Sequence, residues 1–273
     1  MTSFLRLVWN VTVVVAVVFA GSLRAAFEWP APTAWQLALG SSSAVLCSGT
    51  LAPQANPAFL PSYDNHTFSA AYLRFPEKLN IQTLSLNASR RIRQWPTGLG
   101  VSVMGDDIYS EQTMVLAIAS PALDGLQVGI SLNVLGISIA NYGSTETLTF
   151  SVGTRWRLNP GLQLGVFSRH LINDPNIVLA PIPESFQAGI LWEFKQVEFI
   201  VEWGQPANYP ATLHISASLP VLEKLNLGVG IEGYPLKPSV GLQWQPDSCA
   251  LTLAARRHPV LGVFTALDLV FEL

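Results

Sequence analysis

Six charged or titratable residues stand where they could build a polar site. Arg155, Arg157, Glu193, Glu198, Glu202 and His214 lie in stretches of alternating polar and apolar residues, always in the polar register. Alternation of period two sends successive side chains to opposite faces of a strand, so these six are expected on one side of a sheet. Two arrangements are open to them. They form a charged constriction or a site for a polar ligand, or they pair inside a barrel and lock an interior segment. Pairing is favoured, because a charge in a low-dielectric interior survives by finding a partner. Catalytic patterns are missing. His66, His170, His214 and His258 share no metal-ligand spacing, and neither a Gly-x-Ser-x-Gly elbow nor a phosphate-cradling glycine loop occurs. Asp106 and Asp107 read as a solvated loop pair. Arg90, Arg91 and Arg93 suit lipid phosphate, a partner on the same side of the membrane, or a plain solvated turn. No enzyme, metal or cofactor is expected.

The elements that hold these residues must accommodate an unusual composition. Of 273 residues, 49% are hydrophobic and only 12% charged, about half the usual charge content of roughly 25%. That excludes disorder. With 15 Lys+Arg against 18 Asp+Glu the chain has no basic excess for nucleic acid. Two cysteines exclude a disulfide scaffold; Cys47 and Cys249 either bridge an amino-terminal segment to a late strand or remain two thiols. Residues 1–20 read as a secretory signal, with Arg6 in the n-region, an apolar run from Val11 to Phe19 and small residues around Ala20. An uncleaved anchor is the other reading of this segment. No later stretch offers the roughly 18 apolar residues a spanning helix needs. So much apolar surface then requires a large β core or a barrel facing lipid.

Period two runs through the rest of the chain. Fourteen strands are expected near 67–75, 81–90, 98–104, 110–120, 126–135, 146–157, 162–171, 185–194, 197–203, 211–219, 225–231, 237–244, 249–256 and 260–272. One face of each is bulky and apolar; the other carries Gly, Ser, Thr, Asn, Gln or an occasional charge. A soluble sandwich also alternates, but would place many Lys and Glu outside. A mild, glycine-rich polar face fits a barrel lumen. Connections after even strands are expected to be short, except for the segment Arg90 to Thr97. Those after odd strands are expected to be longer, notably at 172–184, 204–210 and 233–238. An even strand number returns both ends to one side. The expected division is 1–20 signal, 21–66 plug, and 67–273 barrel: an all-β, transmembrane antiparallel β-barrel of about 14 strands with a short amino-terminal plug.

The segment before the first strand carries a resemblance. Trp35-Gln36-Leu37-Ala38-Leu39-Gly40, small residues, then Asn56-Pro57-Ala58 and Asp64 to Tyr72 resemble the amino-terminal region of PorV/PorQ-type outer-membrane proteins, relatives of FadL-type transporters. Read without the family, Pro57 keeps Asn56 out of the helical region and Asn56 turns or caps the chain. The acidic pair that often precedes the family motif is replaced by Leu51-Ala52-Pro53. The resemblance implies a fourteen-stranded barrel in the outer membrane of a Gram-negative bacterium, its amino-terminal segment tucked toward the lumen. It implies contact with outer-membrane lipid and a non-enzymatic role in type IX-like secretion or in binding surface proteins, through the plug or the Pro-rich loop 172–184. A FadL-like passive channel for a hydrophobic ligand is the alternative. A soluble periplasmic sandwich is the third reading.

Overall fold

The computed structural model describes residues 26–27, 33–45, 52–60, 66–76, 79–171, 184–206 and 210–273. The segment 1–20 and Cys47 lie outside the described residues, so neither the signal nor a Cys47–Cys249 bridge is addressed by it. Fourteen strands follow in chain order: β1 (Thr67–Arg74), β2 (Gln82–Ile92), β3 (Trp95–Gly105), β4 (Tyr109–Ala119), β5 (Leu126–Ile139), β6 (Gly143–Asn159) and β7 (Leu162–Arg169), then β8 (Ser185–Phe194), β9 (Val197–Pro206), β10 (Thr212–Leu222), β11 (Leu225–Glu232), β12 (Lys237–Trp244), β13 (Cys249–His258) and β14 (Gly262–Glu272). Each pairs antiparallel with its sequence neighbours. β1 closes the ring on β14, in register from Thr67 opposite Glu272 to Arg74 opposite Thr265. Closure leaves no open sheet edge, which a strand surrounded by lipid requires.

The two faces of this wall differ as the alternation dictates. Leu86, Leu116, Ile130, Phe150, Ile190, Val201, Ile215, Val240, Leu253 and Leu267 all stand exposed on the outside. That is far more contiguous apolar surface than a soluble monomer leaves in water, so the exterior is a lipid-facing belt. Trp95, Trp156, Trp192, Phe199, Trp244 and Phe271 ring it near the even-strand turns, while Tyr72, Phe186 and Trp203 stand toward the opposite end. Aromatic girdles of this kind mark the two interfaces of a membrane barrel. Inside, the wall is small and polar, with Thr83, Ser85, Asn87, Ser131, Asn133, Thr149, Ser151, Ser216 and Ser218 all buried.

The connections depart from expectation in two places. Arg90 to Thr97 is a tight hairpin, with Arg91 opposite Pro96 and Ile92 opposite Trp95. Only Arg93 and Gln94 lie between the strands, and Arg93 takes a left-handed φ of 58°. Pro96 is tolerated because the ladder to β4 begins one residue later, at Thr97 opposite Ile118. Charges at the end of a barrel strand are solvated whether or not the strand continues, so the arginine run concealed the strand ends. On the opposite side, β9 runs on to Pro206 and β12 begins at Lys237, which shortens two loops expected to be long. The connection from β7 to β8 is the one long loop, and residues 172–183 within it lie outside the described set.

The lumen is filled by the amino-terminal segment. Among its described residues the one α-helix, α1 (Ala34–Ala38), has Thr33 as N-cap, the hydroxyl accepting from Gln36 N at 3.2 Å. Five residues cannot sustain a helix in water. This one is held by the wall it packs on, from β11 through β14 to β1, with Trp35, Leu37 and Leu39 buried. A 3-10 turn at Pro57–Phe59 packs on β4, β5 and β6.

Candidate functional site

The site is the join between plug and wall. Asn56 is its densest point. Its Nδ2 donates to Ala44 O at 2.7 Å within the plug, and stands 3.1 and 3.2 Å from Thr154 O and Val166 O of the wall. Its Oδ1 accepts from Ala58 N at 3.0 Å, capping the turn that Pro57 opens. Thr154 and Val166 are cross-strand partners on β6 and β7, so one amide reaches two strands. That approach needs room. A methyl group on Gly153 would overlap Asn56 Oδ1, and one on Gly165 would overlap Ala44 O. The glycines of the polar face are seats for the plug's main chain.

A second anchor is Glu202 of β9, fully buried. Its carboxylate accepts Ser43 N at 3.0 Å and Ala44 N at 2.8 Å. His214, its cross-strand neighbour on β10, meets Gly40 O through Nδ1, which therefore carries the ring proton; Thr212 Oγ1 lies 3.1 Å from Nε2. A third anchor lies across the lumen. Asp268 of β14 accepts Trp35 N at 3.2 Å, and Ser239 of β12 donates to Ala38 O at 2.8 Å. Beside them Arg256 pairs with Glu232 at 2.9 Å and bonds Ser41, and Lys237 pairs with the same Glu232. Gln54 adds a tie to β2 and β3, donating to Asn87 Oδ1 at 2.8 Å and Val101 O at 3.3 Å. The plug is thus hung by polar contacts from around the wall.

The six residues singled out by pattern divide between two places. Glu202 and His214 grip the plug. Arg155 bears on it too, its Nε donating to Gln163 Oε1 at 2.9 Å and its guanidinium lying 4.8 Å from the Phe59 ring centroid. Glu193 and Glu198 face each other across β8 and β9 at the even-strand end, and Arg157 is exposed at that same end. No single constriction joins all six. Asn56, Pro57 and Ala58 sit at the plug–wall join. Asp268, Arg256, Glu232 and Ser239 were missed. An aspartate inside the apolar run Leu267-Asp268-Leu269 was the available signal, since an inward charge on a closing strand needs something to bind.

Two cavities flank the plug. At the even-strand end a vestibule of about 600 Å³ is lined by Glu193, Glu198, Glu223, Asp247 and Glu272, with Trp35 and Cys249 among its other walls. Asp247, in the turn after β12, is bonded by Lys224 at 2.7 Å, and that hydrogen bond and charge hold its carboxyl below the usual range. On the other side of the plug a chamber of about 40 Å³ is lined by Phe27, Met104, Val115, Leu135 and Phe167, together with Thr83, Ser102, Glu111, Asn133, Arg169 and His170. Phe27 N donates to Glu111 Oε2 at 3.0 Å, which fixes Phe27 beside Leu135 and Ile137. Among the described residues no group of three or more His, Cys, Asp or Glu is placed to hold a metal.

No family model matches the chain, and no curated protein matches it in sequence. Solved structures do match. The CymD monoaromatic hydrocarbon channel superposes with a TM-score of 0.66 at 12% identity, over 91% of this chain and 99% of that one. The Pseudomonas putida toluene transporter TodX gives 0.62 at 12% identity, over 90% and 98%. A deltaS2S3 mutant of the TodX monoaromatic hydrocarbon channel gives 0.61 at 13%, over 90% and 99%. At such identities the likeness is one of fold, and it extends along nearly the whole barrel.

Proposed function

We propose that this barrel is a FadL-like outer-membrane channel for small apolar molecules, and that its amino-terminal segment is the gate. The observation that carries the reading is how the lumen is closed. Main-chain segments 33–45 and 52–60 fill it, and Asn56, Glu202, His214, Asp268 and Ser239 hold them by hydrogen bonds that no strand pairing reinforces. Each such bond is worth about 0.5–1.5 kcal/mol net, and about 1.5–3 where a charge takes part. A plug held this way can be released without opening the wall. Two neighbours in fold, named as a toluene transporter and a monoaromatic hydrocarbon channel, support the same class of permeant. Export by removal of residues 1–20, and residence in the outer membrane of a Gram-negative bacterium, belong to this proposal.

The PorV/PorQ-like reading, a secretion-associated or surface-protein-binding component, rests on the stretch from Trp35 to Tyr72, with Asn56-Pro57-Ala58 as its motif. The motif's hold on the wall accounts for it without a partner, and the proposed partner loop at 172–184 falls almost entirely outside the described residues. Uptake of an uncharged aromatic fluorophore such as N-phenyl-1-naphthylamine by Gram-negative cells with intact outer membranes tests the channel. Cells carrying the barrel should take up the dye several-fold faster than vector-only cells. Equal rates, with a stoichiometric secretion protein recovered from mild-detergent extracts, would move the account to the accessory role.

A further inference from the structure

Arg169, the last residue of β7, is 7% exposed, and no carboxylate lies within 4 Å of it among the described residues. Its Nη2 donates to Gln54 O at 3.3 Å, and one face of the guanidinium lies 5.3 Å from the Phe167 ring centroid. Nε and Nη1 have no partner among the described residues; neither is sealed from space, and the residue lines the small chamber. The next residue converges on the same space. His170 has φ 57°, a left-handed conformation uncommon for a side-chain-bearing residue. Its Nδ1 lies 2.8 Å from Thr149 Oγ1. That hydroxyl also accepts from Asn133 Nδ2 at 3.4 Å, which leaves its own proton for Nδ1. The neutral ring then carries its proton on Nε2, the nitrogen without a partner, beside the chamber.

The charge of buried Glu202 reaches Arg169, but its oxygens accept the plug's Ser43 and Ala44 N–H groups and form no ion pair with the guanidinium, so Nε and Nη1 keep donor capacity that burial makes costly to leave unused. The chamber's own carboxylate does not serve. Glu111 accepts Phe27 N through Oε2 and Tyr109 Oη at 2.7 Å through Oε1, and it is not paired with Arg169. A volume of about 40 Å³ suits one compact ion beside a water, given roughly 10–15 Å³ of such space per water. We propose that Arg169 and His170 form a binding site for a compact monovalent anion, either a free halide or the carboxylate head of a small amphiphile. A halide fits beneath Phe27 as it stands; a carboxylate with an apolar body takes the place of the Phe27 ring against Leu135 and Phe167. The site does not depend on the channel reading, and dye uptake has no bearing on it.

The test is anomalous diffraction at the bromine edge from crystals of the full barrel soaked in sodium bromide, with a parallel soak in bromide plus sodium benzoate. A bromide peak is expected within hydrogen-bond reach of Arg169 Nε or Nη1 and His170 Nε2. Arg169→Gln should abolish it and Arg93→Gln, in an exposed turn, should leave it unchanged. Should Arg169→Gln fail to assemble, His170→Phe keeps the ring volume, removes the donor, and should raise the bromide needed for equal occupancy at least tenfold. A peak that benzoate erases, with benzoate density in its place, assigns the site to carboxylates as well. A peak indifferent to benzoate assigns it to halide. Crystals with neither bromide nor benzoate at Arg169 overturn the proposal.

Discussion

Asn56 and Gly153 are the smallest unit on which the account can be tested. The amide reaches the wall only because Gly153 has no side chain, so the two positions should be strongly coupled. Gly153→Ala in an otherwise unchanged barrel is expected to push the plug off its seat and raise ion leak through planar bilayers. Asn56→Ala removes the group that the methyl would strike, so adding Gly153→Ala to it should change leak little further. The double-mutant cycle should show an interaction of at least 1 kcal/mol, above the 0.3–0.5 kcal/mol scatter typical of independent sites. Glu202→Gln is the second test. The carboxylate accepts main-chain N–H groups from both oxygens, whereas an amide must turn its own donors toward one of them. The loss should be about 2–3 kcal/mol of plug attachment. It should appear as faster protease cleavage within 33–60, with the heat-dependent gel mobility of the barrel unchanged. Neither contact was legible in sequence. Pattern placed Glu202 on the inner face and marked Asn56 as a turn former, but which main-chain groups they meet across the plug–wall join depends on pairings 98 to 159 residues apart in sequence.

Strands were the legible element, because lipid outside and small polar groups inside leave few ways to satisfy both faces. All fourteen were found near their expected positions. The hairpin at 90–97, expected as a longer connection, marks where alternation stops being informative. Alternation stops informing where a strand leaves the membrane, and β2 and β3 both cross that boundary in the arginine run. The helix within the expected plug was not legible for a different reason: α1 has only five residues, and its structure is imposed by the wall rather than by its own periodicity. The wall's outward face can be tested directly. Ile130 is half-exposed on β5 between the aromatic girdles. Ile130→Arg should cost about 2–4 kcal/mol of unfolding free energy in phospholipid vesicles, as for a cation near the bilayer midplane. A cost near zero would mean that this face does not meet hydrocarbon.

At the scale of the whole molecule, plug and vestibule together set what should cross once the gate is released. Glu193, Glu198, Glu223, Asp247 and Glu272 surround the even-strand mouth. Leak through Glu202→Gln should therefore prefer cations, and neutralising Glu193 and Glu198 should reduce that preference. Because Lys224 holds the Asp247 carboxyl below its usual range, the rim charge at Asp247 is retained as the medium is acidified to about pH 5. The central claim is that the plug gates the barrel, and a reversible covalent tie between plug and wall tests it most directly. A Cβ at Gly228 of β11 would stand 3.2 Å from the Cβ of Ala38 in the plug, close to the roughly 3.5–4.5 Å that a disulfide spans, so an Ala38→Cys, Gly228→Cys pair, in a chain whose native cysteines are replaced by serine, joins the two when oxidised. The measurement is dye uptake by cells carrying this variant, before and after reduction. Uptake should fall to the vector-only level in the oxidised state and recover on reduction. Uptake that is equal and above the vector level in both states would contradict the account.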